Sequence, residues 1–416
     1  MQQRTRIDLG AVTAALDERL ASADAALARD YPGERPGRQP VHTVYVPADR
    51  YAARTVAAYG HTASTLVAEH GETLLALLNG DEELVARVLA KLEREPVEDL
   101  RIDFEDGYGT RSDEEEDAHV DAAVAALRGS LEADAAPPYC GIRFKSLERP
   151  TRARAVRTLV RFVEGLAATG GLPGGFVVTL PKVTSVDQVE AMVQLTARIE
   201  EELGLDARRL CFEIQVETPQ SVLGPDGTAL LARMIRAADG RCTAFHYGTY
   251  DYSAYVGISA GDQSLEHPVA DYAKAVMQAA AAGTGVRLSD GSTNLLPVGD
   301  QLAAGWALHH RLVTRALHRG YYQGWDLHPA QLPTRFAATF GFYRAGFVEA
   351  GDRLARYSRG ADGAIADEPA TARALSDFVL RGLDCGALSA TEVERATGLD
   401  SGALARLAHR PAGERS

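Results

Sequence analysis

The sequence predicts an α/β fold: a (β/α)8 TIM barrel with a helical insertion after strand 1 and a C-terminal helical extension. Short β-rich runs alternate with longer amphipathic or Ala-rich stretches along the 416 residues, which is typical of parallel strands joined by right-handed crossovers. There are eight such runs, the number that closes a barrel. No GxGxxG motif follows a predicted strand, so there is little reason to prefer a dinucleotide-binding sheet.

The predicted strands are short and rich in β-branched and aromatic residues. They cover Val41–Ala48, Asp99–Gly107, Tyr139–Ser146, Gly175–Val183, Leu210–Thr218, Cys242–Asp251, Gly285–Thr293 and Tyr321–Pro329. The amphipathic stretches between them predict helices. The clearest of these are Thr151–Ala168, Ser185–Glu202, Thr228–Ala238, His267–Ala282 and Gly299–Arg319.

Residues 50–98 are too long for one connecting helix, and Gly71, Gly80 and Pro96 punctuate them. We therefore expect two or three inserted helices after the first strand, over the top or side of the barrel.

The chain beyond the eighth strand predicts a helical extension. Pro333–Leu354 has a helical pattern, residues 358–366 predict a lid-like loop, and a last helix follows. We accordingly divide the chain into a barrel with an N-terminal helix and the inserted helices, residues 1–335, and the extension, residues 336–416.

Composition excludes several classes of protein. The chain has 57 acidic and 44 basic residues and a formal net charge of −13, which argues against a nucleic-acid or anionic-membrane surface. The four cysteines are widely separated and predict no disulfide or zinc site. No stretch has the length of a membrane span, and the N-terminus lacks the apolar region of a secretory signal, so we expect a cytoplasmic protein.

Polar residues cluster at the carboxyl ends of the predicted strands, where a barrel holds its catalytic groups. Buried strands of a parallel barrel are otherwise apolar, and carboxylates in its mouth cost free energy unless they are paired or bind a metal. The residues in question are Asp103, Glu105, Asp106, Arg143, Lys145, Lys182, Glu217, Asp251, Asp290, Asp326 and His328.

Six segments resemble motifs of the citrate lyase β-subunit and HpcH/HpaI aldolase family, which includes malyl-CoA lyases and belongs to the phosphoenolpyruvate/pyruvate barrel superfamily. They are DFEDG (103–107), GIRFKS (141–146), LPKV (180–183), QVETPQSVL (215–223), HYGTYDYSAYVG (246–257) and GWDLHPAQL (324–332). Their order and approximate spacing agree with the family from residue 41 to residue 332. The resemblance implies a Mg²⁺-dependent enzyme, with Mn²⁺ as an alternative ion, that makes or breaks a carbon–carbon bond.

The resemblance places two carboxylate ligands of Mg²⁺ at Glu217 and Asp251, which suits a hard cation that prefers oxygen ligands. The alternative is that each carboxylate caps the helix that follows it. Arg143 resembles the family arginine that grips a substrate carboxylate or carbonyl oxygen, because its planar guanidinium matches a carboxylate. The alternative for Arg143 is a structural ion pair with Asp103 or Glu105.

The remaining candidates fill the mouth around these three residues. Glu105 and Asp106 are neighbours on a predicted strand and so must face opposite ways, with only one pointing into the mouth. We expect Glu105 to contact metal-bound water or Arg143 and Asp106 to tie the loop backbone. Lys182 is predicted to bind a substrate carboxylate, although a structural salt bridge explains it equally well.

Gly248 and Thr249, in the segment of the proposed metal ligand Asp251, are predicted substrate contacts. His328 is held extended before a proline, and we interpret it as a structural residue of the barrel with catalysis as the alternative.

Asp367 lies in a stretch, ADGAIADEP, that resembles a segment following the barrel in the CoA-ester lyases. There the aspartate reaches a neighbouring subunit's site as acid or base, which implies a homo-oligomer, a trimer or hexamer. The alternative is that Asp367 begins the final helix.

The predicted function is therefore carbon–carbon cleavage or its reverse on a 2-keto acid, hydroxy acid or acyl-CoA ester through a metal-stabilised enolate. One alternative is phosphoryl transfer from phosphoenolpyruvate, for which Lys145 and Lys182 would supply phosphate contacts. Another is a barrel that binds a metabolite without catalysis.

Overall fold

The computed structural model describes residues 7–359 and 368–410 of the chain. Its eight strands are all parallel and form one sheet in the order β7-β6-β5-β4-β3-β2-β1-β8. They are β1 (His42–Pro47), β2 (Asp99–Asp103), β3 (Tyr139–Arg143), β4 (Val177–Leu180), β5 (Cys211–Val216), β6 (Cys242–Tyr247), β7 (Arg287–Ser289) and β8 (Gly324–Asp326).

The sheet curls until its two ends meet. Ser289 at the end of β7 forms a parallel bridge with Gln323, the residue before β8, and the N–H of Asp290 donates to the carbonyl of Gln323 at 2.8 Å. The predicted (β/α)8 barrel is thus confirmed, and each predicted strand is present. The observed strands end earlier than predicted because the chain turns at the barrel mouth.

Helices surround the barrel in the predicted alternation. They are α1 (Leu9–Asp30), α2 (Thr55–Leu77), α3 (Glu82–Arg94), α4 (Asp113–Glu132), α5 (Arg152–Ala168), α6 (Val186–Leu203), α7 (Pro219–Val222), α8 (Leu230–Ala237), α9 (Thr249–Tyr255), α10 (Pro268–Ala281), α11 (Leu302–His318), α12 (Leu332–Ser358), α13 (Pro369–Cys385), α14 (Ala390–Thr397) and α15 (Ser401–Leu407). Within residues 7–359 and 368–410, no helix combines the length and apolar character that a bilayer-spanning segment needs.

The insertion after β1 consists of two helices, α2 and α3, as expected. Asp81 caps α3 by accepting a hydrogen bond from the N–H of Leu84 at 2.8 Å. The two helices approach closely at Gly60, where a Cβ would lie 2.8 Å from the carbonyl oxygen of Leu92. Only glycine therefore fits at this contact.

The strands bury apolar side chains on their outer face, beneath the helices, and polar side chains inside the barrel. Val44, Leu100, Ile142 and Ile214 belong to the outer core and are fully buried. The alternation along each strand separates the two sets. The apolar side chains that the sequence led us to expect on buried strands are thus present on the outer face of the strands only.

The polar side chains inside the barrel form a set, joined by hydrogen bonds and ion pairs, that we call the interior layer. It comprises Thr43, Asp99, Arg101, Thr179, Glu213 and His246. Arg101 on β2 reaches across to β5 and donates to both carboxylate oxygens of Glu213, at 3.0 and 2.7 Å, and it also donates to Asp99. Burial opposes ionisation of Glu213, but Arg101 and His246 outweigh it and lower the pKa of Glu213.

The C-terminal extension has a small core of its own. The first part of α12 packs on the barrel, whereas Ala350 and Leu354 on its second part pack with residues of α13 to α15. Three helices follow α12 instead of the single last helix expected, because Gly386 and Gly398, at φ of 86° and 72°, end α13 and α14 in the left-handed conformation. The predicted lid-like loop lies almost wholly outside the described residues.

Candidate active site

Four carboxylates and one ammonium group meet at the carboxyl end of the barrel, where barrel enzymes hold their catalytic residues. We call this group the mouth cluster. Its members are Glu105, Asp106, Lys182, Glu217 and Asp251. They follow β2, β4, β5 and β6, so the fold brings together side chains that are far apart in the sequence.

Lys182 lies at the centre of the mouth cluster. Its Nζ is 2.6 Å from Asp251 Oδ2 and 2.8 Å from Asp106 Oδ2. The same atom is 3.4 Å from Glu217 Oε2 and 3.7 Å from Glu105 Oε1. The backbone of Lys182 has a φ of 52°, a left-handed conformation that costs about 1 kcal/mol or more and is concentrated at functional sites.

Glu217 is the most enclosed carboxylate of the cluster. Its Oε1 accepts a hydrogen bond from the backbone N–H of Lys182 at 2.7 Å, and its Oε2 accepts one from Gln215. A Cβ at Gly248 would clash with the Cβ of Glu217 and would lie 3.0 Å from its Oε2. Glycine at position 248 therefore leaves the space that the side chain of Glu217 occupies.

Burial and mutual repulsion perturb the carboxylates. Burial, reinforced by the charges of Glu105 and Asp251 and opposed by Lys182, raises the pKa of Glu217 to about 8. Burial likewise raises the pKa of Glu105 to about 7, although Arg143 opposes it. Burial disfavours the ammonium of Lys182, but the surrounding carboxylates outweigh it and raise its pKa. One ammonium therefore does not neutralise the cluster.

The expected opposite facing of Glu105 and Asp106 is wrong. β2 ends at Asp103, and strand alternation no longer applies in the turn that follows. Both side chains consequently reach the ammonium of Lys182. The loop backbone is tied by Asp103 instead, which accepts hydrogen bonds from the N–H groups of Glu105 at 3.0 Å and Gly107 at 2.8 Å.

Arg143 lies beside the mouth cluster at the end of β3. Its Nε and Nη2 donate to the two oxygens of Asp103, each at 2.6 Å, so the structural ion pair considered from the sequence is present. Its Nη1 faces Gln215 Oε1 at 3.3 Å and Glu105 Oε2 at 3.4 Å. The guanidinium also lies over the ring of Tyr45, 4.9 Å from the centroid, which holds its plane.

Gln215 contacts the candidate site but was not among the residues predicted from the sequence motifs. Its amide nitrogen donates to Glu217 and its amide oxygen accepts from Arg143, so it links the guanidinium to the buried carboxylate. The spacing of Glu213, Gln215 and Glu217 at every second residue of β5 was a usable signal, because such residues face the same side of a strand.

One lysine and one threonine that were singled out in the sequence have hydrogen-bond or ion-pair partners outside the mouth cluster. Lys145 donates to the carbonyl of Phe104 at 2.7 Å and pairs with buried Glu116 at 2.8 Å. The hydroxyl of Thr249, predicted to contact substrate, donates to the carbonyl of Ser292 at 3.3 Å.

The remaining strand-end residues have structural partners. Asp290 pairs with Lys274 at 3.1 Å. Asp326 is completely buried among His42, His309 and Arg335. These carboxylates lie at strand ends, as predicted, but their charges are balanced by buried partners.

His328 has a structural contact: its Nδ1 accepts a hydrogen bond from the N–H of Ala330 at 3.1 Å and so caps a short helical turn. Asp367 lies outside the described residues. The helix after it, α13, begins at Pro369 with Glu368 at its N-cap.

The mouth cluster fits a divalent cation. One oxygen each of Asp106, Glu217 and Asp251 lie within 4.8 Å of one another, and all are carboxylate oxygens, the ligands that Mg²⁺ prefers. When all four carboxylates are ionised, their charge exceeds that of the single ammonium, since the nearby Arg143 is already paired with Asp103. A bound cation would relieve this excess.

The fold and the mouth cluster define the class of protein: an α/β barrel with a carboxylate-rich site at the carboxyl ends of its strands. The chain belongs to the family described as "Domain of unknown function (DUF6986)", whose model matches residues 20–412. No curated protein sequence matches it.

Solved structures with the same fold are distant in sequence. A citrate lyase from Burkholderia xenovorans LB400 is 19% identical, with a TM-score of 0.57 over 87% of this chain and 97% of that one. A malate synthase from Haloferax volcanii is 14% identical, with a TM-score of 0.52 over 90% of this chain and 99% of that one. The structure of the same malate synthase as a magnesium/glyoxylate complex is 14% identical, with a TM-score of 0.52 over 88% of this chain and 97% of that one. The fold is therefore the one that the six sequence segments predicted.

Proposed function

We propose that this chain is a Mg²⁺-dependent carbon–carbon lyase or aldolase that acts through an enolate on a 2-keto acid, a hydroxy acid or an acyl-CoA ester. The observation that carries the proposal is the group of carboxylates at the barrel mouth beside a buried arginine, Arg143, whose Nη1 faces Glu105 of the cluster. The Haloferax volcanii malate synthase, which shares the fold, has been solved with magnesium and glyoxylate. Another protein with this fold thus binds both magnesium and a small carboxylate.

Glu217 and Asp251 are the proposed ligands of the ion, and Asp106 is added as a third because its oxygen lies with theirs. When bound, Mg²⁺ or Mn²⁺ supplies a Lewis acid that lowers the cost of negative charge on a substrate oxygen. Binding also requires the carboxylates to be ionised, so the raised pKa of Glu217 predicts proton release when the cation binds.

Arg143 is the proposed partner of the developing enolate oxygen. Asp103 fixes its Nε and Nη2, and Nη1 is the edge that faces the cluster. A guanidinium held this way offers a donor before the reaction begins, which costs no reorganisation during it. Lys182 is the proposed contact of a substrate carboxylate, and Gly248 and Thr249 are proposed to line the same space.

Glu105 is the proposed acid or base on this side of the mouth. Its pKa of about 7 allows it to hold or release a proton near neutral pH. A pKa close to the working pH is the most effective for general acid–base catalysis. Asp367 is proposed to act as acid or base from a neighbouring subunit, and with it we propose a homo-oligomer, a trimer or hexamer.

Phosphoryl transfer from phosphoenolpyruvate is less well supported. It needs several cations to hold the phosphate, and Lys145, one of the two lysines considered for this role, is engaged with Glu116. The structure therefore favours the lyase proposal over this alternative.

The test is Mg²⁺-dependent turnover of a panel of 4-hydroxy-2-keto acids and of malyl- and citramalyl-CoA esters. We expect release of pyruvate or another 2-keto acid by the wild type, at least about 1000-fold less by Glu217→Gln, and near-normal release by Asp121→Asn, whose exposed carboxylate pairs with Arg161 on the surface. The substrate that is cleaved decides whether CoA is needed. Binding of pyruvate with Mg²⁺ but no cleavage of any panel member would contradict the lyase proposal and support a binding function.

A further inference from the structure

Helix α1 is exposed along its entire length. It has 22 residues, none of them buried, and is therefore about 33 Å long. Its large apolar side chains are among the most exposed of the described chain: Leu9 64%, Val12 47%, Leu16 54%, Leu20 48%, Leu27 61% and, just after the helix, Tyr31 55%. Monomeric proteins seldom leave an apolar surface of this extent open to water.

All of these side chains except Val12 recur at intervals of 11 residues, which places them in one stripe. Leu9, Leu20 and Tyr31 form one series, and Leu16 and Leu27 form another. An 11-residue repeat corresponds to about 3.67 residues per turn, so that the stripe stays on one face of a long helix that packs against another helix. In residues 7–359 and 368–410, no side chain covers it enough to bury any residue of α1.

The charges beside the stripe decide against a membrane surface. α1 carries four acidic residues and only two basic ones, Arg19 and Arg29. Helices that lie on membranes have polar faces rich in lysine and arginine, because they bind anionic lipids. The acidic α1 would be repelled instead.

The same charges are complementary to a second α1. Arg19 and Asp24 flank opposite edges of the stripe, and neither has an ion-pair partner among the described residues. In a parallel pair of helices, charged residues on the two edges of the apolar seam form ion pairs between the helices. Arg19 would therefore meet the partner subunit's Asp24, and two-fold symmetry would form this ion pair twice.

We propose that α1 is a subunit interface: it pairs in parallel and in register with α1 of a second copy of this chain. The inference goes beyond the proposed reaction and does not depend on it. A two-fold contact of this kind requires an even number of subunits, which agrees with the hexamer and not with the trimer considered above.

The first test is the molar mass of the full chain by light scattering after size exclusion, for the wild type and for the double variant Leu16→Glu/Leu20→Glu. We expect the variant to have half the wild-type mass or less. The matched control is Ala14→Glu/Ala25→Glu, which adds the same charges on the opposite face and should keep the wild-type mass. Because no residue of α1 is buried, both double variants should keep the fold of the subunit, which their circular dichroism spectra check. Equal mass for the wild type and the leucine variant would overturn the proposal.

The second test concerns the register. Ala23→Cys places a thiol within the stripe, and in a parallel, in-register pair it faces the same thiol of the partner subunit. We expect a disulfide-linked dimer under mild oxidation, and none from Ala14→Cys on the opposite face. A monomeric wild type that binds phosphatidylserine vesicles, and loses this binding in the leucine variant, would overturn the proposal in favour of a membrane role.

Discussion

The interior layer and the mouth cluster both place charged side chains on the inner face of the barrel, but they balance charge differently. In the interior layer, Arg101 lies between Glu213 and Asp99, and His246 lies 3.1 Å from Glu213. In the mouth cluster, one lysine faces four carboxylates. In the interior layer, burial raises the pKa of Asp99 but the pKa of Glu213 is lowered, whereas burial raises the pKa values of Glu105 and Glu217 in the mouth cluster to about 7 and about 8.

The difference separates groups that hold the barrel together from groups that await a ligand. A buried carboxylate with enough partners stays ionised and stabilises the fold, whereas one without enough partners costs free energy. Natural proteins tolerate such a cost mainly at functional sites. The following predictions test whether the two layers differ in this way.

Loss of Arg101 should have the largest effect on stability. Arg101→Met leaves Glu213 and Asp99 buried without their shared cation, and removing one member of a buried ion pair costs about 3–5 kcal/mol. Urea denaturation should show this loss equally with and without Mg²⁺. Arg157→Met on the surface is the control and should have little effect, since Arg154 still pairs with Asp117.

Gly248→Ala should weaken Mg²⁺ binding more than it destabilises the fold. The added Cβ would push against Glu217, and displacing a ligand or its support lowers metal affinity about 10–100-fold. Calorimetric titration with Mg²⁺ measures this change. Gly80→Ala is not a suitable control because φ there is 83°; Gly71→Ala, where a Cβ meets no atom, is suitable and should bind Mg²⁺ normally.

Lys182→Met should strengthen cation binding while it weakens turnover. Lys182 Nζ lies at hydrogen-bond distance from both Asp106 and Asp251, so removing its charge should tighten Mg²⁺ binding by about tenfold, or about 1.4 kcal/mol. The melting temperature of the variant should then rise with Mg²⁺ more steeply than that of the wild type. Weaker Mg²⁺ binding would mean that Lys182 supports the ion instead of competing with it.

The smallest effect on the free energy of unfolding is expected from a substitution of Glu95 at the base of the barrel. Glu95 pairs there with Arg38 and Lys91. Burial would raise the pKa of Glu95, but these cations outweigh it and lower the pKa to about 2. A lowered pKa means that the stabilisation is present above the unfolded value of 4.5 and is lost as the pH falls towards 2. Glu95→Gln should remove about 1 kcal/mol at pH 7 and flatten the pH dependence of urea denaturation between pH 4.5 and 2.

The sequence was sufficient for the barrel and for the position of its site. Eight β-rich runs gave eight strands, and the resemblance identified Glu217, Asp251, Lys182 and Arg143, which the fold brings together. These features are local: a strand is recognised by its composition, and the carboxyl ends of parallel strands always lie at one end of the barrel.

Features that depend on distant partners were not predictable. Asp290 and Glu217 are both carboxylates at strand ends, and only the fold shows that Lys274 neutralises the first. The pairing of Arg101 with Glu213 joins residues 112 apart in the sequence. The facing of Glu105 and Asp106 was wrong because β2 ends two residues before Glu105, and a strand's end depends on its neighbours.

The central claim is that the excess charge of the mouth cluster holds a divalent cation. Isothermal titration with Mg²⁺ of the wild type, Glu217→Gln and the surface variant Asp121→Asn tests it most directly. We expect one site in the wild type and in Asp121→Asn, and binding weakened at least about 100-fold in Glu217→Gln. Equal affinity in all three proteins, or no binding by the wild type, would contradict it.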